Sequence, residues 1–233
     1  MQASAERLRY FFVDSPLAAG SKVTPGRELS RRLSRVLRLR VGARVALFNG
    51  RDGVFAAALA DDEAQQLDLT DQLVSAPSPA RYHLYIALTK RDAMDRVLRQ
   101  ATELGITDLH PVMTDHCVAD KLNDERVQAL IVEAAEQCER ASLPVLHPVM
   151  PLTAAVSAAA GRVFWCAERG PGVWGAVKPA AGDGVLVGPE GGFSDPEKAF
   201  LAAHSKVTPV GLGAYVLRVD TAAAAGCAFL VAR

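Results

Sequence analysis

The chain has 233 residues, of which 50% are hydrophobic and 22% charged, and its 26 basic residues are balanced by 26 acidic residues. This composition excludes a disordered or collagen-like chain. A chain of this length can bury enough surface to fold without disulfide or metal staples, and the length predicts one or two domains.

The cysteine pattern and the hydropathy indicate the compartment. The four cysteines stand far apart, with no C-x-x-C spacing for zinc or redox chemistry, which is typical of a protein in a reducing compartment. The first ten residues lack the apolar segment of a signal peptide. The uncharged run 141–161 contains three prolines, which argues against a transmembrane helix there. We therefore expect a cytoplasmic protein with no membrane partner.

The balanced total charge hides an asymmetry between the two ends of the chain. Residues 1–51 carry eleven basic and three acidic residues, a balance of +8, whereas residues 52–233 have a balance of −8. A basic segment on a neutral protein indicates that this segment binds a polyanion.

The densest basic segment predicts an amphipathic helix whose arginines point to solvent while its apolar residues dock on a core. The predicted basic face consists of Arg31, Arg35 and Arg38, and the predicted apolar face consists of Leu33, Val36 and Leu37. Guanidinium groups match phosphate oxygens, and no acidic residue lies between Glu28 and Asp52, which favours nucleic-acid binding. A solvated helix without a partner is the alternative.

The N-terminal third of the chain reads mainly as short strands. They are predicted at residues 9–13, 44–48, 54–59 and 66–69. The dipeptides Asn49-Gly50 and Asp52-Gly53 predict a hairpin turn between the second and third of these strands. The pattern fits a small antiparallel barrel or sandwich with one basic helix. The Pro- and Ser-rich residues 75–80 indicate a linker.

From residue 82 onward, strands and helices alternate. Buried strands are predicted at residues 82–88, 108–112, 163–167, 184–187 and 206–210, and helices at 92–104, 124–140, 195–203 and 219–231. This alternation predicts an α/β domain with a mostly parallel sheet covered by helices on both faces.

A glycine-rich loop follows the strand at 184–187. It reads Gly188-Pro189-Glu190-Gly191-Gly192, and a helix opens directly after it, with capping-box spacing between Ser194 and Glu197. A strand, a glycine loop and a helix in this order are typical of a ligand site in an α/β sheet. The P-loop and dinucleotide motifs are both absent from the sequence. A purely structural turn is the alternative, although Glu190 within the loop makes it less favoured.

A second loop, residues 211–218, also lies between a strand and a helix. Arg218 and Asp220 stand at the end of this loop, and Asp220 or Thr221 is a candidate N-cap of the following helix. Arg218 is predicted at the mouth of a site. A local surface ion pair between Arg218 and Asp220 is the alternative.

Taken together, these motifs resemble those of the SPOUT methyltransferases, and most closely those of the bacterial 16S rRNA (uracil N3)-methyltransferase family. The resemblance runs through residues 35–38, 47–50, 101–105, 133–140, 187–192 and 212–218. It implies a PUA-like RNA-binding β-barrel at 1–74, a linker at 75–81, and a knotted SPOUT methyltransferase domain at 82–233.

The same resemblance implies S-adenosylmethionine as the methyl donor, with no metal, and a homodimer as the active form. The implied cofactor-binding residues are Cys166, Gly188, Pro189, Glu190, Gly191, Gly192, Leu212, Gly213, Val216, Leu217 and Arg218. The implied partner is 16S rRNA or the 30S ribosomal subunit. The RNA-binding candidates are Arg9, Arg31, Arg35, Arg38 and Arg140.

The chain departs from the family pattern at several positions. Tyr215 stands where the family usually has arginine, Val219-Asp220 stands for Thr-Glu, and Gln100 stands for lysine. The glycine loop and Arg218 are intact. The expected activity is therefore methylation of N3 of a uridine in the decoding region of 16S rRNA. The alternatives are ribose 2′-O-methylation and a catalytically silent rRNA-binding assembly factor.

Uracil N3 carries a proton that must leave before N3 can attack a methyl group. Asp220 is the first candidate to accept this proton and Glu190 is the second, while Arg218 either stabilises the developing negative charge or holds an RNA phosphate. N3 lies on the Watson–Crick edge, so the target must be unpaired or flipped out. The five histidines lack metal-ligand spacing and are interpreted as structural.

Overall fold

The computed structural model describes residues 7–78, 80–168, 170 and 178–231. Three of the predictions fall partly on residues outside these ranges. They are the absence of a signal-peptide segment (residues 1–6), the linker (residue 79) and the second domain (residues 169, 171–177 and 232–233). The chain divides into two compact units. One consists of the residues up to 78 with 135–143, and the other of 79–134 with 144–233. The α/β class is confirmed.

The first unit contains a five-stranded sheet. Its strands are β1 (Tyr10–Phe12), β2 (Lys22–Val23), β3 (Arg44–Phe48), β4 (Val54–Leu59) and β5 (Leu67–Val74), in the order β1-β3-β4-β5-β2. The predicted hairpin is confirmed, since β3 and β4 pair antiparallel with Phe48 opposite Val54. The expected antiparallel pairing is found between β3 and β4, β4 and β5, and β5 and β2, whereas β1 departs from it and pairs parallel to β3. Strand β5 runs past the predicted end at residue 69 to Val74, and this extension is exposed on both faces, so it lacks the alternation of buried and exposed residues that predicts a strand.

The basic helix is shorter than predicted and changes its winding. It begins as α1 (Arg27–Arg31) and continues as one π-helical stretch, Arg32–Val36. The wide turn is closed by the Leu37 N–H, which donates to the Arg32 carbonyl at 2.9 Å. Arg38 lies beyond the helix with a φ of 54°. The prediction that Arg38 shares a helix face with Arg31 and Arg35 is therefore wrong.

The apolar face of this helix also differs from the predicted one. The residues that pack on the core of the first unit are Leu29, Leu33 and Leu37. Val36, predicted on this face, is 69% exposed. Because a π turn holds more than the 3.6 residues of an α turn, the extrapolated α-helical face rotates away from the core.

One arginine of the basic run holds the first unit together. Arg32 Nη1 donates to Glu136 Oε2 at 2.6 Å, and its guanidinium lies 5.0 Å from the centre of the Phe11 ring. Glu136 is buried and also accepts a hydrogen bond from the Phe12 N–H at 3.0 Å. Arg32 therefore neutralises a buried carboxylate, and the remaining arginines of the run supply the exposed charge.

The second unit is built on a parallel sheet. Its strands are β6 (His83–Ala87), β7 (Asp108–Met113), β8 (Val145–Leu146), β9 (Met150–Pro151), β10 (Val163–Cys166), β11 (Gly184–Val187) and β12 (Val207–Val210). The order is β12-β10-β11-β6-β7-β8, every pairing is parallel, and β9 also pairs with β7. The predicted parallel sheet is confirmed. Threading of the predicted knot stays a prediction, because the path at 169 and 171–177 lies outside the described residues.

Helices cover both faces of this sheet, as predicted. The helices are α2 (Arg91–Glu103), α3 (Asp124–Gln137), α4 (Leu152–Ser157), α5 (Asp195–Ala203) and α6 (Val219–Val231). Leu186 of β11 belongs to the core shared with α4 and α5, whereas the adjacent Val185 meets α6 at Gly226. Helix α4 lies in the proline-rich run and was not predicted. Within the described ranges, none of the helices is long and apolar enough to cross a bilayer.

Gly226 allows the alanine-rich helix α6 to pack closely on the sheet. A Cβ at this position would lie 2.7 Å from Val185 Cγ2 and 3.3 Å from Cys166 Sγ. The helix therefore approaches its own sheet at a distance that only glycine allows. Strand β11 is therefore a packing partner of this helix within the chain.

Replacing Gly226 with alanine is expected to destabilise the fold. The gain in helix propensity is about 1 kcal/mol, whereas forcing a methyl group against the stiff Val185 side chain costs about 1–3 kcal/mol. We expect a net loss of up to about 2 kcal/mol in the free energy of unfolding, measured by urea denaturation. Adding Val185→Ala removes the methyl group that the new Cβ would meet and is expected to reduce this loss. A Gly226→Ala variant that is more stable than wild type contradicts the packing argument.

Candidate functional site

A pocket of ≈ 920 Å³ opens where several parallel strands of the second unit end. Its walls come from residues 165–168 at the end of β10, from 187–193 at the end of β11, and from 212–213 and 215–220 after β12. The start of α2, which follows β6, supplies a further wall. Because β12, β10, β11 and β6 are neighbours in the sheet, their carboxyl ends meet at one edge, where α/β folds bind ligands.

The glycine loop is shaped by close contacts. A Cβ on Gly188 would lie 2.8 Å from the Phe193 ring, and Gly192 has a φ of 69°. The predicted capping box is confirmed, since Ser194 Oγ accepts from the Glu197 N–H and Glu197 Oε2 accepts from the Ser194 N–H at 2.8 Å. Glu197 Oε1 also accepts from the Asp115 N–H at 3.0 Å. The loop is therefore anchored at the helix start, with its backbone facing the pocket.

Glu190 brings a charged carboxylate to the pocket. Burial works to raise the pKa of Glu190, but the backbone N–H groups of Glu190 and Lys90 and the Lys90 ammonium hold this pKa below its usual value. The carboxylate is therefore ionised at neutral pH and suited to a cationic ligand group.

Asp220 is paired across the pocket with a residue of α2. Arg96 Nε donates to Asp220 Oδ2 at 2.6 Å, and this hydrogen bond is the main reason that the pKa of Asp220 is lowered, with burial acting in the opposite direction. The Asp220 side chain is 17% exposed. The alternative of a local pair between Arg218 and Asp220 is wrong, because Arg96 takes the carboxylate.

Arg218 stands at the start of α6 with an exposed side chain. Its carbonyl accepts from the Ala222 N–H at 2.8 Å. Helix α6 begins at Val219, so Asp220 lies in its first turn and Thr221 follows, and neither is the N-cap. Within the described part of the chain, the Arg218 guanidinium has no ion-pair or hydrogen-bond partner. The group is available to a ligand with negative charge.

Cys166 lines the pocket, but its thiol does not act as a nucleophile. Burial raises the pKa of the Cys166 thiol to about 12, so the sulfur stays protonated and its contribution is that of a small apolar wall.

The structure brings all of the predicted cofactor-binding and catalytic residues to this one pocket. They are Cys166, Gly188, Pro189, Glu190, Gly191, Gly192, Leu212, Gly213, Val216, Leu217, Arg218 and Asp220. Sequence reasoning missed the contribution of α2, namely Lys90, Asp92, Ala93 and Arg96. The available signal was their position after strand β6, at the same sheet edge as the glycine loop.

The RNA-binding candidates all lie in the first unit. Arg9, Arg31, Arg35 and Arg38 are exposed. Arg140 differs, because it is only partly exposed, burial lowers the pKa of its guanidinium, and its Nε donates to Ser142 Oγ at 3.0 Å. Its charge is less accessible than that of the other four arginines.

Three histidines that are far apart in the sequence come together outside the pocket lining. They lie at the start of β6, within β7 and directly after β8. His83 Nδ1 lies 3.0 Å from His110 Nε2, and the His110 and His147 rings stack with centroids 4.0 Å apart. Asp108 is fully buried beside them and accepts from Arg81, from Thr107 Oγ1 at 2.8 Å and from His147 Nε2 at 2.9 Å. These donors occupy the carboxylate oxygens, so this histidine cluster is a structural network.

Comparisons with known proteins agree with this geometry. A methyltransferase from Legionella pneumophila, solved with its bound cofactor SAM, superposes with a TM-score of 0.85 at 26% identity, covering 96% of this chain and 97% of that one. The ribosomal RNA small subunit methyltransferase E of Neisseria gonorrhoeae, bound to S-adenosyl methionine, gives a TM-score of 0.84 at 25% identity, covering 95% and 96%. These matches confirm the predicted SPOUT-type fold.

The sequence comparisons identify the family. The ribosomal RNA small subunit methyltransferase E of Rickettsia conorii is 29% identical over 220 residues, which are 91% of this chain and 90% of that protein. The family model of the RNA methyltransferase PUA domain matches residues 33–72, in agreement with the predicted PUA-like unit. The family model of the RNA methyltransferase domain matches residues 76–231, and because this match spans well over half of the chain, the protein belongs to the RNA methyltransferase family.

Proposed function

We propose that this protein transfers the methyl group of S-adenosylmethionine to N3 of a uridine in the decoding region of 16S rRNA, in the cytoplasm. The observation that carries the proposal is the single pocket shared by the glycine loop and by Arg218. The similar proteins named above as small subunit rRNA methyltransferases support the choice of substrate.

The pocket suits the methyl donor in size and charge. Its volume of ≈ 920 Å³ lies in the range of pockets that enclose small-molecule ligands. Trp165, Val187 and Leu212 offer apolar surface for an adenine ring, while the ionised Glu190 offers a counter-charge to the donor's ammonium or sulfonium group. When bound, the donor supplies a methyl group on a positively charged sulfur.

The chain's own residues supply proton transfer and charge stabilisation. Asp220 accepts the N3 proton, which frees the nitrogen lone pair to bond the methyl carbon while the carbon–sulfur bond breaks toward sulfur. Arg218 stabilises the negative charge that spreads over N3 and the flanking carbonyl oxygens. Arg96 holds the Asp220 carboxylate in place at 2.6 Å and keeps it ionised before the proton arrives. Glu190 is the second candidate base.

Replacing Asp220 with asparagine is expected to lower the methylation rate about 10²–10⁴-fold, because the acceptor of the N3 proton is lost. Only the most acidic limb of the pH–rate profile should flatten, since the lowered pKa of Asp220 keeps the carboxylate ionised at higher pH and the amide does not titrate. Single-turnover methylation measured across pH reports both effects. Glu190→Gln is the matched variant for the second candidate. An unchanged rate and profile in Asp220→Asn would show that Asp220 does not accept the N3 proton.

The exposed arginines of the first unit are proposed to bind rRNA phosphates. Reversing the charge at Arg31, Arg35 and Arg38, singly and together, is expected to weaken RNA binding, at least tenfold for the triple variant, and to reduce its salt dependence, because each lost phosphate contact lowers the slope by about one. Binding to 30S subunits at several salt concentrations measures both quantities. Arg51→Glu is the control for each single reversal, since it makes the same charge change at an arginine that is paired with Asp14. Unaltered binding assigns these three arginines to solvated surface.

We also propose that the active form is a homodimer. Helix α6 supports this proposal, because Ala228 is exposed and the neighbouring Ala224 and Ala225 remain partly exposed. These small side chains leave an apolar strip that a second copy can cover. Light scattering should give twice the chain mass of 24.8 kDa, and a monomeric mass contradicts the proposal.

The activity is tested with the purified protein, S-adenosylmethionine and 30S subunits or free 16S rRNA. Mass spectrometry of the digested rRNA should detect N3-methyluridine, whereas a 2′-O-methylated nucleoside assigns the ribose reaction instead. Reverse transcription of rRNA should show a stop in wild-type cells that vanishes in cells lacking the protein, because an N3 methyl group blocks pairing. Calorimetry that detects no binding of the donor identifies a silent assembly factor.

A further inference from the structure

The loop 211–218 exposes apolar side chains at the rim of the pocket. Tyr215 is 85% exposed and Val216 is 63% exposed, and both line the pocket. Among the described residues, Tyr215 is the most exposed large hydrophobic side chain, and its ring makes no aromatic contact there. The side chain therefore contributes no packing to its own unit.

The position of this ring limits what can cover it. Tyr215 and Arg218 belong to one loop, and the Arg218 guanidinium beside the pocket is exposed as well. Gly213 has a φ of 142°, a backbone conformation that side chains rarely adopt, so the turn two residues before Tyr215 depends on glycine. An aromatic ring and an exposed guanidinium that line the same pocket match a ligand that is both aromatic and anionic.

We propose that Tyr215 is a stacking platform for the unpaired uracil base that enters the pocket. This inference rests on the proposed function. The reacting atom N3 lies on the edge of the base, so both faces of the ring remain available for stacking during methyl transfer. Stacking of a base on an aromatic side chain contributes about 1–3 kcal/mol, which orients the base edge toward the methyl donor. Tyr215 is thus a positioning residue.

Substituting Tyr215 separates the platform from other roles. Tyr215→Ala should raise the KM for 30S subunits at least fivefold, the lower limit of about 1 kcal/mol for one stacked base, while donor affinity measured by calorimetry stays within twofold. Tyr215→Phe keeps the ring and should restore KM to within twofold of wild type. A structural defect would change donor affinity and the circular dichroism spectrum, and the phenylalanine variant controls for it.

Three results would overturn the platform. The first is an unchanged KM in Tyr215→Ala, and the second is a Tyr215→Phe variant as defective as Tyr215→Ala, since the hydroxyl would then be the active group. The third is a change of Tyr215→Ala from dimer to monomer in light scattering, which assigns the ring to a contact with a second copy.

Failure of the proposed function has a different signature. If wild-type protein binds 30S subunits in a Tyr215-dependent manner but forms no N3-methyluridine, the platform stands and the proposed reaction is wrong. If N3-methyluridine forms with equal KM in wild type and Tyr215→Ala, the reaction stands and the platform is wrong.

Discussion

Replacing Arg218 with alanine is expected to lower methyl transfer about 10²–10³-fold, the range found when a single charge-stabilising donor is removed from an active site. The guanidinium is exposed at the pocket and has no partner among the described residues, so its charge is free to act on a substrate. Deprotonated uracil carries negative charge on N3 and on its two flanking oxygens. A forked cation stabilises that charge where it develops, and alanine leaves it unbalanced.

The measurement separates chemistry from binding. Single-turnover methylation with saturating donor and 30S subunits reports the chemical step, and calorimetry reports donor affinity, which should change little because alanine retains the backbone of the loop. Lys198→Ala is the matched control, since Lys198 also lines the pocket and forms a surface pair with Asp195 at 3.4 Å. Turnover in Arg218→Ala within tenfold of wild type shows that the assigned role is wrong.

The sequence was sufficient to predict the parts of the site that depend on local order. A strand followed by glycines and then by a capping box predicts a ligand loop, and the structure has Gly188 against Phe193 and Ser194 capping α5. The predicted strand β11 also has the observed bounds, Gly184–Val187, because an uninterrupted apolar run bounded by glycine and proline is typical of a buried parallel strand.

The parts that depend on sheet order were not predictable. Arg96 meets Asp220 across 124 positions because α6 packs against α2 over the neighbouring strands β11 and β6, and no spacing in the sequence encodes that packing. Helical periodicity also gave a wrong prediction for the basic helix. The π turn after Arg31 leaves Val36 exposed, and the helix ends before Arg38. Helical periodicity assumes constant winding, and one wide turn is enough to break the extrapolation.

The histidine cluster was also not predicted, because it depends on which strands are neighbours in the sheet. Its titration is expected to destabilise the protein in mild acid. His110 is enclosed by Tyr85, whose ring stacks at 4.6 Å, by His83 and by His147. Burial, reinforced by the neighbouring histidines and by Arg81, lowers the pKa of His110 to about 3, with Asp108 acting in the opposite direction. The folded protein therefore keeps this imidazole neutral where the unfolded chain protonates it.

The sign of the effect follows from proton linkage. Between the ordinary pKa of histidine, about 6.5, and the lowered folded value, the unfolded state binds one more proton than the folded state, so stability falls as the pH falls. Asp108 adds to this at lower pH. Burial opposes the shift, but its hydrogen bonds from Arg81, His147 and Thr107 lower its pKa to about 2, and that stability is lost below about pH 4.

We expect the free energy of unfolding to drop by about 2 kcal/mol between pH 7 and pH 4.5 from His110 alone, after allowance for its partial exposure. Urea denaturation at both pH values measures the drop. His110→Phe keeps a ring in the stack but cannot titrate, so its stability should depend less on pH by this amount, even if the variant is less stable at pH 7. His204→Phe makes the same replacement outside the cluster and should retain the wild-type dependence. An equal pH dependence in His110→Phe and wild type means that His110 is not the group whose protonation destabilises the second unit.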